Sequence, residues 1–184
     1  MMEMENVQEN PSYWNSVIIG SAVAGIIVTA FSLIGGYTMI GSEPSGSFFN
    51  SAQIWSTIGC LIGAVGGIIA NWHYAKEYNV TYKIGKGALI GLLVGVISTI
   101  IIVALSQLWN LIDPSYQQAV IDWNIQNLEA TQMPAEMREQ AIAGMENPNS
   151  VTNIAIYTGT TLVGMGILNV ISGLIGAKIF APEE

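Results

Sequence analysis

The stretch GALIGLLVGVISTIIIVALSQLWNLI, residues 87–112, contains no charged side chain. A helix rises about 1.5 Å per residue, so a run of this length crosses a hydrocarbon core of about 30 Å with some tilt to spare. Lipid accepts such a segment because a helix satisfies its own peptide groups. Three other runs share the property: 13–41, 47–72 and 151–177. Charged residues make up 10% of the chain and apolar residues 51%, with a mean hydropathy of +0.49. A soluble domain carries about 25% charged residues, since a water-facing surface needs them. The sequence therefore predicts an all-α, integral membrane four-helix bundle, one membrane domain over 1–184, with spans at about 16–40, 51–71, 84–111 and 151–180.

Between these runs lie breakers and aromatic belts. Residues 41–46 read Gly-Ser-Glu-Pro-Ser-Gly and end the first span. Tyr13-Trp14, Phe48-Phe49 and Trp72-His73-Tyr74 suit the membrane interface. The tail 1–10 is acidic, polar and expected to be poorly ordered. Ser21-Ala22-Val23-Ala24-Gly25 resembles a signal-peptidase site, but 17–19 is too short for an h-region and no Lys or Arg precedes it. The first helix is read as an uncleaved anchor.

Basic residues set the expected orientation. Four spans place both termini and the 75–86 connection on one side, with Lys76, Lys83, Lys86 and Lys178; the other side has only Arg138. The positive-inside rule then puts the termini in the cytoplasm and the 113–150 insert outside it, in the periplasm of a Gram-negative cell. The formal net charge of −8 argues against nucleic acid as a partner, since nothing could neutralise a row of phosphates.

Helices associate in lipid through close contact between small residues. The second span has Gly59, Gly63 and Gly67 at four-residue spacing, and the third has Gly87, Gly91 and Gly95. A short loop joins the two, so the economical expectation is an antiparallel pair with the stripes facing. The stripes could instead serve a partner chain or a second copy. Asn169, an amide in mid-span, needs a partner: an interhelical bond fixing register, or a ligand.

Asp113-Pro114 pairs a good N-cap with a good first helical residue. The insert reads as two amphipathic helices, at about 114–130 and 134–146. They either fold over their own bundle or form a docking surface for a partner, with Trp123, Met137 and Met145 as candidate docking residues.

Groups for chemistry are sparse. His73 is the only histidine and reads most simply as interfacial, and Cys60, the only cysteine, as a buried thiol. No predicted span of the last three runs or the first carries a charge in its interior, which counts against a proton-coupled pump. No catalytic residue, metal site or cofactor is expected.

The chain resembles a bacterial family of four-span membrane proteins, domain of unknown function 4199. The resemblance lies in the four spans, in Tyr82-Lys83-Ile84-Gly85-Lys86-Gly87, in Asp113-Pro114 followed by a long amphipathic insert, and in Ile171-Ser172-Gly173-Leu174-Ile175-Gly176-Ala177-Lys178. It covers most of the chain beyond the N-terminal tail. It implies an inner-membrane protein of a Bacteroidota-like bacterium and brings no activity and no functional residues. The expected function is a non-enzymatic accessory or structural subunit, partnered by the lipid bilayer and by other membrane subunits or itself. A small oligomeric transporter or channel is the alternative, and an intramembrane enzyme a more distant third.

Overall fold

A computed structural model describes residues 11–47, 49–145 and 150–182; the tail 1–10, Phe48 and Glu146 lie outside the described residues. The described chain is all-helical: α1 (Trp14–Ile40), α2 (Ser51–Gly63), α3 (Val65–Tyr78), α4 (Ile84–Ile112), α5 (Pro114–Glu129), α6 (Ala135–Met145) and α7 (Val151–Phe180). α1, the pair α2–α3, α4 and α7 are each long and apolar enough to cross a bilayer, so the protein is a multi-pass membrane protein.

Local chemistry sets the helix ends. Asn50 and Ser150 start α2 and α7 by accepting the N–H of Gln53 at 3.0 Å and of Asn153 at 3.1 Å. Asp113 starts α5 with Pro114 behind it and accepts the Ser115 N–H. α3 stops at Asn79, in the left-handed region at φ 48°, which asparagine tolerates better than most residues. The second span thus runs to Tyr78, beyond the expected end at residue 71. The Trp72-His73-Tyr74 belt marks an interface, but none of its residues breaks a helix. A break at Ala64 divides this span into α2 and α3.

The glycine stripes do not face each other, contrary to the expectation. A Cβ on Gly59 would come within 2.6 Å of Phe31 Cβ, and one on Gly63 within 2.5 Å of Val28, both on α1. Gly67 abuts the Asn169 carbonyl on α7. Gly87, Gly91 and Gly95 lie against Ala177, Asn169 and Gly166, so the third-span stripe is taken by α7 as well. The reason is pairwise: Gly166 and Gly173 give α7 a small face of its own, and Gly173 would place a Cβ 3.0 Å from Gly91 Cα.

The bundle is closed at one end. Tyr74 donates to the Pro11 carbonyl at 2.8 Å and the Tyr82 N–H to the Ala181 carbonyl at 3.3 Å, bringing both described termini and the 79–83 turn together. Beneath lies a buried polar network. Asn71 Nδ2 donates to the Gly67 carbonyl at 2.8 Å, and Tyr82 OH donates to Asn71 Oδ1 at 2.8 Å. Burial pushes the Tyr82 phenol well above its ordinary pKa, so it stays a donor. At the other end the helices part. The second half of α7 buries Met165, Asn169, Ser172 and Gly173, while Val151 in its first turn is 85% exposed, and α2 barely meets α7.

Candidate functional site

Where the helices part, they leave two adjoining cavities under α5, a polar and an apolar lobe that share one wall. One lobe, of about 540 Å³, lies between α1, α4, α5 and α7. The other, of about 610 Å³, lies between α1, α2 and α7, with Ile102 of α4 at its base. Both fall within the usual size of small-molecule sites, roughly 300–1,000 Å³. Ser32, Tyr116, Val120 and Tyr157 line both lobes and form the partition.

The lobes differ in chemistry. The first carries five carboxamides: Gln107 and Asn110 from α4, Gln117 and Asn124 from α5, and Asn153 from α7. The second carries none; its walls are apolar (Val28, Met39, Leu61, Met165, Leu168) with Ser56, Thr57, Thr160 and Thr161 among them. Several of these hydroxyls are spent on their own helix, as Thr57 on the Gln53 carbonyl at 2.7 Å and Thr160 on that of Ile156 at 2.9 Å. The second lobe is thus more apolar in effect than its composition. The α2 and α7 helices that flank it scarcely touch each other.

The roof is fixed to the bundle. Asn127, on the α5 stripe, accepts the Ser45 and Gly46 N–H groups at 3.1 and 2.9 Å and donates to the Ser47 carbonyl at 2.9 Å. The loop after α1 is therefore bound to α5. Gly46 makes this approach possible: its φ is +71°, and a Cβ there would sit 2.5 Å from the Ala130 carbonyl oxygen. Trp123 was a candidate docking residue, but it is 6% exposed and its indole N–H donates to the Ser42 carbonyl at 2.8 Å. Its position on the apolar stripe seals α5 onto the bundle instead of presenting a surface. Met145 lines the polar lobe, and Met137 is exposed on α6.

At the α4–α5 corner, Tyr37 donates to Asp113 Oδ2 at 2.5 Å, and Trp109 Nε1 donates to Tyr37 OH at 3.1 Å. Hydrogen bonds from Ser115 and Tyr37 hold the Asp113 carboxyl below the usual carboxylate range. Burial raises the Tyr116 phenol, whose ring packs at a tilt against Tyr37 with centroids 4.9 Å apart.

The other sequence candidates lie in the closed half. Asn169 is fully buried; its Oδ1 accepts the Gly67 N–H at 2.9 Å and its Nδ2 donates to the Met165 carbonyl at 3.0 Å. Its amide is satisfied within the protein and fixes register. His73 Nδ1 lies 2.9 Å from Ser16 Oγ, an interhelical contact beyond a purely interfacial role. Cys60 is half-buried and lines the apolar lobe. Among the described residues no three His, Cys, Asp or Glu side chains come together as a metal site. Sequence reasoning missed the carboxamide lobe. The available signal was helical spacing: Gln107 and Asn110 are three apart, Gln117 and Asn124 seven apart, so each pair shares a face.

Neither a curated protein nor a solved structure matches the chain. A family model does match, over residues 20–181, which is nearly all of the membrane domain. The four spans and the insert lie within or across that match, and the chain belongs to the DUF4199 family, described as a protein of unknown function.

Proposed function

We propose that this protein is a non-enzymatic component of the bacterial inner membrane that binds an amphiphile drawn sideways from the bilayer. The observation that carries this reading is the pairing of a carboxamide-lined lobe with an apolar lobe flanked by α2 and α7, two helices that scarcely touch each other. An amphiphile needs both: a place to hydrogen-bond its head and an apolar slot for its chain, reached without crossing water. The non-enzymatic part rests on the lining, where amides and hydroxyls bind and orient but no carboxylate, histidine or cation stands among the described residues. With the termini in the cytoplasm, as the four lysines against Arg138 favour, the cavity faces the outer leaflet and α5–α6 the periplasm.

The test is photolabelling of the reconstituted protein by a lipid with a photoactivatable acyl chain. Labels should concentrate on Leu61, Met165 and Leu168, and Thr161→Trp, which fills the apolar lobe, should remove them. Labelling spread evenly over outward residues such as Ile18 and Ile167 would defeat the reading.

A second reading, the accessory subunit of a larger complex, is favoured by α6. None of its residues is buried, and Met137 is 57% exposed. The glycine faces support it less, since α1 and α7 occupy them. A photocrosslinker at position 137 should then join one defined protein after gentle extraction, and only lipid or the chain itself if this reading is wrong.

A further inference from the structure

We infer that the polar lobe selects an uncharged head group rich in hydroxyls, of the glycosyl or polyol class, carried on a membrane amphiphile; this rests on the binding role proposed above.

The chemistry of the lobe points to such a head. A carboxamide offers two donors and an acceptor with two lone pairs, which matches hydroxyls that both give and accept hydrogen bonds. Gln107 and Asn110 make no side-chain hydrogen bond among the described residues, so both ends of each amide are available. Asn124 spends its Nδ2 on the Val120 carbonyl at 2.7 Å and keeps its Oδ1 as an acceptor. Trp109, Tyr116 and Tyr157 add ring surfaces that are apolar in body and polar at one tip, suited to the C–H faces of a sugar.

Charged heads fit less well. An anion would find no cation among the described lining residues, and the segments on that side repel it: they carry Glu43, Asp113, Asp122, Glu129, Glu136 and Glu139 against Arg138. A cation would find no carboxylate among the described lining residues. Of the acidic side chains on α5 and its cap, Asp113 already accepts from Tyr37 at 2.5 Å and from Ser115 Oγ at 2.6 Å, and Asp122 accepts from Gln118 Nε2 at 2.8 Å. An ion drawn into the lobe would lose hydration and meet amides and rings instead of an opposite charge, whereas hydroxyls exchange water for amides at little cost.

The experiment uses the full chain in phosphatidylcholine nanodiscs with the photoactivatable lipid as reporter. Competitors share one diacylglycerol body and differ in head: glucosyl, phosphoglycerol or trimethylammonium. Glucosyl-diacylglycerol should compete about ten-fold better than either charged lipid, a difference of about 1.4 kcal/mol. Asn110→Leu should erase most of that preference. Gln107→Leu, at an exposed position, serves where the first variant does not fold. Free glucose should not compete at the concentrations where the lipid does; if it does, the ligand is a soluble sugar and the membrane source is wrong. Equal competition by all heads, or preference for a charged one, overturns the head-group inference while leaving amphiphile binding intact. Failure of every lipid to reach the apolar lobe overturns the binding role itself.

Discussion

The side-chain carbonyl of Asn169 on α7 accepts the backbone N–H of Gly67 on α3 at 2.9 Å. Gly67 lies in the first turn after the break at Ala64, where N–H groups lack a carbonyl one turn back. The hydrogen bond therefore completes a helix start inside the membrane and holds α3 against α7 in one register. Asn169→Leu leaves that N–H unpaired and should cost about 1–2 kcal/mol, the range for interhelical and buried hydrogen bonds. Unfolding in mixed micelles, followed by circular dichroism, measures this; an unchanged midpoint would show that the bond contributes nothing.

Two glycine substitutions give opposite expectations. Ala at position 91 pushes a methyl into the Asn169 carbonyl and against Gly173 Cα, where only backbone can yield. Separation of α4 from α7 should lower stability by about 1–3 kcal/mol or more. At Gly159 nothing lies within 4 Å of the added Cβ. There alanine should be neutral, or stabilising by up to about 1 kcal/mol through its better helix propensity. Comparable melting shifts for Gly91→Ala and Gly159→Ala would refute the close-packing account.

Some of this was legible in the sequence. The spans follow from charge-free length, because lipid excludes ions and little else distinguishes a span. The start of α5 follows from Asp113-Pro114, because capping is local. Pairing was not legible. Gly63 and Gly91 each announce a close contact but not with which helix, and α1 and α7 supplied faces that spacing alone could not rank against each other. The end of α3 was not legible because an aromatic belt locates an interface, not a helix stop. The cavity was hidden because it arises from helices that fail to meet, and a gap between α2 and α7 has no motif. The side that Trp123 faces was open in the sequence for a related reason: an apolar stripe on α5 looks the same whether it faces its own bundle or a partner.

Acid should weaken the α4–α5 corner. Asp113 has a folded-state pKa below its ordinary value, chiefly through Ser115 and then Tyr37. The stabilisation is therefore present above the unfolded carboxylate pKa of about 3.9 and is lost as pH falls through the lower folded value. The melting temperature of the natural protein should exceed that of D113N at pH 7, and the gap should close as pH drops below about 4. Tyr37→Phe should narrow the gap at neutral pH. A gap independent of pH would mean that the carboxylate charge does not matter there.

The roof should loosen when its clamp is removed. Asn127→Ala deletes three hydrogen bonds between α5 and the 45–47 loop. Hydrogen exchange at residues 45–47 should rise about ten-fold or more for a loss of roughly 1.5 kcal/mol in local opening energy, while exchange at the α4–α7 seam stays unchanged. Equal acceleration in both regions would indicate global destabilisation and no separate roof.

Lys83 and Glu139 should be reached from opposite faces of the membrane. Lys83 precedes α4 at the closed end, beside the turn that Tyr82 ties to Ala181. Glu139 is on α6, beyond the roof, and four helices of spanning length separate the two ends. With natural Cys60 replaced by Ser, an impermeant maleimide added to intact cells stripped of their outer membrane should label Glu139→Cys and spare Lys83→Cys. Inverted vesicles should give the reverse. This expectation follows the proposed orientation, in which the positive-inside rule places Lys76, Lys83 and Lys86 in the cytoplasm. Labelling of both positions from one face would remove the four-span topology; an exchanged pattern would keep the spans and put the cavity in the inner leaflet.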